Sequence, residues 1–342
     1  MGILLGESDL QSKSRSSPRN SHCCERLELL FTLLNSGFLT SEKLGDVEMK
    51  AFIKYWNKPS RCAYLFLAPS VILLILFSVI PLAAAFGLSL FDVPITMNTA
   101  SFVGLTNFIE AFHDERFLNS LKVTAVFTLL EVPLQVFGAL VIASFLTKNN
   151  FRNKLLRAIY FLPVICSATA VGIMWKMILH SNIGFITAVL QTMGLGKINF
   201  LNTPGLTIFV VSFISLWRSF GISAIIYVTA IQQVSASLYE AAEMDGAGKI
   251  KQFFHITAPS IRPTFWYILM TRFAGALQIF DIIYITTNGG PNYTTESTVT
   301  YIYSRAFSSA SSMGYASAMS VILFVIIMAV TVVMYRKMNK ED

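Results

Sequence analysis

From residue 63 to residue 91 the chain runs without one charged side chain. About 20 apolar residues in a helix cross the hydrocarbon of a bilayer, so this stretch has length to spare. Five more apolar stretches follow, at about residues 118–147, 156–179, 206–231, 264–286 and 316–335. In lipid a backbone must bond its own polar groups, and segments of this length do so as helices. Pro69 and Pro81 in the first stretch are compatible with this, because neighbouring helices can repair the freed carbonyls. The expected fold class is therefore all-α, a polytopic membrane protein with six transmembrane helices. Composition agrees: 54% of residues are hydrophobic and 13% charged, about half the charge of a soluble domain.

The charges orient the spans. Lys50, Lys54, Lys58 and Arg61 precede span one, and Lys148, Arg152, Lys154 and Arg157 join spans two and three. Lys249, Lys251 and Arg262 join spans four and five, and Arg336, Lys337 and Lys340 follow span six. These 14 cations fall on one side, against Arg116, Lys197 and Arg305 on the other. By the positive-inside rule the richer side, with both termini, is cytoplasmic. The net charge of +7 is thus topological; no basic and aromatic groove suggests nucleic acid. His22, His113, His180 and His255 are too scattered for a metal cluster, and the four cysteines form neither a disulfide framework nor a spaced metal site.

Residues 1–48 differ from the rest: 12–20 read as disordered, and the apolar run 27–39 is too short to cross. This stretch is expected to be a poorly ordered extension, with Met49 the natural start. Residues 49–116 then comprise a basic leader, the first span and an external loop. Residues 117–335 hold a five-helix core, and 336–342 a cytoplasmic tail.

The longest polar interruption on the basic side is residues 235–263. Ser237 and Glu240 have capping-box spacing, and Leu238, Ala241 and Ala242 give a short helix an apolar face with two small residues. Gly246 stops that helix or admits a close neighbour. Lys249 to Phe254 suits a second short helix closed off by Pro259 and Pro263. Small residues and a glycine on an exposed helix suit docking into a partner's groove. The nearby Gly246-Ala247-Gly248-Lys249 is not a phosphate-binding loop, because Glu243 and Ile250 stand where that loop needs glycine and Ser or Thr.

Glu240-Ala241-Ala242, Asp245-Gly246-Ala247, Phe254, Ile256, Pro259 and Pro263 resemble the EAA loop of the membrane subunits of binding-protein-dependent ABC importers. Two departures are Ser235, where a proline is usual, and Ala258, where leucine is usual. Trp217 to Gly221, Phe280 to Tyr284, Thr287 to Pro291, Tyr301 to Tyr303 with Ala306 and Phe307, and Met313 to Ala318 are similar to the carbohydrate branch, of the maltose and glycerol-3-phosphate permease type. The resemblance implies a type I ABC importer permease fold in a bacterial inner membrane. It implies an ATPase-coupling loop carried by Glu240, Ala241, Ala242, Asp245, Gly246, Ala247, Phe254 and Pro259. The partners implied are a second homologous permease, two ATPase subunits that bind ATP and magnesium, and an extracytoplasmic sugar-binding protein. This chain itself then needs no cofactor and carries no catalytic residue; oligosaccharide is the expected cargo.

Ionisable groups inside lipid are costly and face the protein interior, water or an interface. Glu131 and Gln135 lie four apart on span two, Arg218 on span four, and Gln278 and Asp281 three apart on span five. These five are the candidate translocation path. Arg272 and Lys176 are expected to snorkel outward. The competing class is an ion-coupled secondary carrier using Glu131, Arg218 and Asp281, which leaves the loop at 235–263 unexplained.

Overall fold

The computed structural model describes residues 59–94, 100–307 and 312–340. The N-terminal extension, Met49 and Lys50, Lys54 and Lys58 lie outside them. The chain forms two compact units, Met1–Ala83 and Ala84–Asp342. Within the first, α1 (Pro59–Leu74) carries Pro69 and leads into a π turn, Ile75–Val79. The helical path goes on through α2 (Ile80–Leu88). The Ile80 amide reaches back five residues to the Ile75 carbonyl, one position before Pro81. A proline has no amide hydrogen and its ring crowds the carbonyl four residues back, so widening the helix just before it relieves both faults.

In the second unit a short antiparallel pairing of β1 (Phe91–Asp92) with β2 (Ser101–Phe102) precedes α3 (Thr106–His113). The stretch after α2 packs on the start of the last helix. Met313 donates its amide to the Val93 carbonyl at 2.8 Å, and the Ser312 hydroxyl bonds the Asp92 carboxylate at 2.8 Å.

The core is built on α4 (Glu115–Leu146). Asp114 caps it by accepting from the amides of Arg116 and Phe117, satisfying donors that a helix start leaves free. Phe117, Ser120, Thr124, Phe127, Glu131, Gln135, Ala139, Ala143 and Leu146 are buried at three- and four-residue spacing, one helical face. Along that face lies α8 (Leu206–Gln232), with Val211, Ile214, Ser215, Tyr227 and Ile231 buried.

The third apolar stretch is not one straight helix. It is α5 (Phe151–Ile165) and α6 (Ala168–Ile178), bent by 98°. Pro163 weakens the end of α5, Cys166 is extended, and the Ser167 hydroxyl caps α6 by accepting from the Ala170 amide at 3.2 Å. After α7 (Phe185–Thr192) and α8 come the loop helices α9 (Ala236–Met244), α10 (Lys249–Gln252), a π turn at Phe253–Thr257 and α11 (Ala258–Ser260).

The fifth stretch is α12 (Arg262–Leu277) and α13 (Asp281–Thr286). Between them Gln278 (φ −105°) and Phe280 (φ −137°) leave helical geometry. After Thr286 the chain turns tightly, with Gly290 donating to the Thr287 carbonyl at 2.9 Å and Asn288 and Gly289 at positive φ, as an inverse turn requires. Then follow α14 (Thr298–Phe307) and α15 (Met313–Lys340). Among the described residues five helical segments are long and apolar enough to cross a membrane, and six if the bent pair is one span.

Candidate functional site

The loop 235–263 projects α9 with none of its residues buried. Its cap differs from the expected box: Ser235 is the capping position, and its hydroxyl pairs with that of Ser237 at 2.8 Å instead of with a helix amide. Glu240 is therefore exposed and free of a capping role. The other end is firmly closed. Gly246 donates to the Glu243 carbonyl at 3.0 Å and Ala247 to that of Ala242 at 2.8 Å, the paired bonds of a Schellman motif. Gly246 sits at φ +75° to make them, and a side chain there would meet nothing within 4 Å. Its glycine serves backbone geometry, with no close neighbour among the described residues.

Asp245 is the exposed C-cap of α9, and Ala247 accepts from the Gln252 amide group at 3.0 Å. Leu238, Met244, Ile250 and Phe254 are exposed apolar side chains around Ala241 and Ala242. Pro259 and Pro263 do not close off a helix as expected. Pro259 lies within the helical path, which the π turn widens so that the Ala258 amide reaches Phe253. Pro263 sits in the first turn of α12, where its missing donor costs nothing. The Tyr239 hydroxyl meets the Thr257 hydroxyl at 2.9 Å, joining α9 to the π turn.

Deep in the core, Glu131 is 6% exposed and accepts from Ser215 at 2.8 Å and from Ser219 at 3.5 Å. Gln135 donates to the Ser219 carbonyl at 3.1 Å and to the Ser223 hydroxyl at 3.3 Å. One helical face of α4 thus lies on a ladder of serines spaced by four on α8. Arg218 is half-buried, and its Nε has no hydrogen-bond partner among the described residues. Arg272, expected to snorkel outward, instead has a buried Nε and interacts electrostatically with Glu131. The carboxylate draws the guanidinium in. Lys176 does stay exposed, against the Ile285 carbonyl at 3.5 Å. Gln278 and Asp281 are both exposed, and the helix break between them removes the shared face that their spacing suggested. The structure therefore brings Glu131 and Gln135 together and sets Gln278 and Asp281 apart from them as a broken pair.

Sequence reasoning missed Arg272 and the serine ladder, although Ser215, Ser219 and Ser223 repeat at helical spacing and were legible as a stripe. It also missed a charged and phenolic cluster at the start of α4. Arg116 holds Glu296 through two bonds of 2.7 Å and stacks on Tyr293 at 3.7 Å. Asp114 accepts from Tyr301 and Tyr315, with Arg305 at 3.6 Å. Burial works to raise the Asp114 carboxyl, but the two phenols and two helix amides outweigh it and hold it below the usual range. Burial and Asp114 push the Tyr301 phenol up to about 12.

Residues 135–340 match the family described as binding-protein-dependent transport system inner membrane component. The chain is 35% identical to the probable ABC transporter permease protein YurN of Bacillus subtilis, over 84% of this chain and 99% of that one. It is 32% identical to the sulfoquinovosyl glycerol transport system permease protein SmoG of Agrobacterium fabrum, over 82% and 91%. Its fold is shared with a crystal structure of a bacterial ABC transporter involved in alginate import, with a TM-score of 0.72 at 23% identity over 84% of this chain and 99% of that chain.

Proposed function

Since the chain belongs to the family of binding-protein-dependent transport system inner membrane components, we propose that an ATPase drives it through the loop 235–263 and that sugar passes the polar seam of α4 and α8. Family members are permease subunits without catalysis of their own; ATP hydrolysis resides in separate ATPase subunits. The chain is accordingly a multi-pass membrane permease of an ABC-type sugar import system, an all-α fold of the type I importer kind. The secondary-carrier alternative gives way to that membership.

One observation carries the coupling role: α9 has no buried residue, is capped at Gly246, and lies in a loop that exposes Leu238, Met244, Ile250 and Phe254. Apolar side chains displayed this way beside small residues mark a protein contact. Glu240, Ala241, Ala242, Asp245, Gly246, Ala247, Phe254 and Pro259 compose it. The loop is cytoplasmic with both termini, in accord with the cations at Lys148, Arg152, Lys249 and Lys251. The working assembly pairs this chain with a second, similar permease, two ATPases that bind ATP and magnesium, and an extracytoplasmic sugar-binding protein. Binding of ATP closes the ATPases, moves the coupling helices and opens the path; hydrolysis resets it.

For the path, Glu131, Gln135 and the α8 serines offer acceptors and donors of the kind sugar hydroxyls meet. Arg218 and Arg272 bring Nε donors without a hydrogen-bond partner among the described residues. Gln278 and Asp281 belong to its outer part. Carbohydrate is supported by the sulfoquinovosyl glycerol named for one relative.

Replacing Gly246 by Val tests the coupling. A β-branched residue in left-handed geometry costs roughly 1–2 kcal/mol, and here it distorts the cap that fixes α9. The expected result is a permease pair that assembles normally but loses ATPase association, or sugar-stimulated hydrolysis, several-fold. Co-purification followed by ATPase assay with loaded binding protein reads both. Wild-type uptake and hydrolysis in this variant would refute the assignment.

A further inference from the structure

Beside the coupling loop lies a cleft of about 840 Å³, formed where the ends of α4 and α8 meet the start of α5 and the segment from α9 to the π turn. Its charged lining is wholly cationic: Lys148, Arg152 and Lys249. None of the three is ion-paired among the described residues. The rest of the wall is largely apolar, with Val141, Phe145 and Ile231 among it.

The walls are tied in place. Arg157 donates from Nε to the Leu146 carbonyl at 3.0 Å and also reaches that of Lys148 at 3.3 Å. Asn153 donates to the Phe145 carbonyl at 3.2 Å, and Gln232 to that of Thr147 at 2.7 Å. Lys148 and Arg152 are therefore carried on a fixed turn with their side chains exposed.

We propose that this cleft binds an anionic membrane phospholipid, its phosphodiester held by Lys148, Arg152 and Lys249 and its acyl chains lying on Val141, Phe145 and Ile231. The placement selects a lipid. Val141 and Ile231 belong to segments long and apolar enough to cross the membrane, whereas Lys148 follows the end of α4, Arg152 stands in the first turn of α5 and Lys249 begins α10 in the loop. The cleft thus runs across the boundary between hydrocarbon and headgroups, where a lipid changes from apolar to charged. Ile250 and Phe254, displayed by the loop proposed for coupling, also line the cleft. Basic pockets between spans on the cytoplasmic face bind anionic headgroups by the same chemistry. Lys249 and the lining residue Tyr239 lie within the coupling segment, so an occupied cleft braces it; this consequence rests on the coupling role proposed above.

The test uses the whole complex of permease pair and ATPases in nanodiscs of phosphatidylglycerol or phosphatidylcholine. Native mass spectrometry of the complex, extracted with mild detergent, should show a retained phosphatidylglycerol molecule. Lys148→Ala with Arg152→Ala should weaken its retention by roughly 30-fold, two cations' worth at a headgroup surface. The charge-keeping pair Lys148→Arg and Arg152→Lys should retain it. In the same discs, the stimulation of ATPase activity by phosphatidylglycerol over phosphatidylcholine should disappear in the alanine pair, while ATPase co-purification in phosphatidylcholine stays normal. Equal lipid retention by wild type and the alanine pair would overturn the site. Loss of ATPase association in phosphatidylcholine would make the cleft a protein contact and overturn it as well. Lipid retention without any change in ATPase stimulation would keep the site and reject only the bracing of the coupling segment.

Discussion

The Asp114 carboxylate caps α4, takes hydrogen bonds from Tyr301 and Tyr315, and faces Arg305. Because its folded pKa is depressed, its contribution to stability is present above the ordinary carboxylate value and is lost as pH falls through the folded one. Wild type should therefore lose melting temperature between about pH 5 and pH 3 more steeply than Asp114→Asn, which lacks the titrating group. Thermal melts of the purified permease across that range check the difference, and equal slopes would remove Asp114 from the acid response. None of this cluster was legible in the sequence. Arg116 and Arg305 read there only as minority cations on the outer side, and Tyr301 and Tyr315 only as parts of a family resemblance, since Glu296 lies far along the chain from Arg116 and both tyrosines lie far from Asp114. Glu131 and Gln135 were legible, because an acid and an amide one turn apart in an apolar helix stand out by cost alone.

Among the elements, α8 makes its closest approach at Gly221. A Cβ there would fall 2.2 Å from the Tyr160 carbonyl oxygen of α5, an overlap that only backbone movement relieves. Gly221→Val should part α5 from α8, costing roughly 1–3 kcal/mol as overpacking does. The measurement is the yield of folded, monodisperse permease and its melting temperature; an unchanged melt would show that the two helices separate freely. Span positions followed from hydropathy, which sums side chains over a window and so finds both α4 and α8. The same summing hid the 98° elbow between α5 and α6. Pro163 and Ser167 do mark it, the first by weakening a helix end and the second by capping a new start, but apolar neighbours on both sides mask two such residues. The break at Gln278 to Phe280 left even less trace, because it contains neither proline nor glycine.

For the molecule as a whole, sugar movement and ATP turnover occur in different polypeptides, so under the coupling role proposed for α9 their agreement depends on how that helix is fastened to the rest of the permease. The Tyr239 and Thr257 hydroxyls, 2.9 Å apart, make that fastening to the π turn that leads into α12. A single neutral hydrogen bond of this kind contributes only about 0.5–1.5 kcal/mol, too little to decide folding or ATPase docking. It is enough to set play in a lever. Tyr239→Phe should leave hydrolysis near wild type while fewer sugars cross for each ATP consumed, a ratio read by measuring uptake and phosphate release in the same proteoliposomes. An unchanged ratio would mean that force travels by another route. If the ratio falls, then one hydroxyl pair governs fuel efficiency: a cell carrying the slack version would still import its sugar, at a greater outlay of ATP per molecule gained.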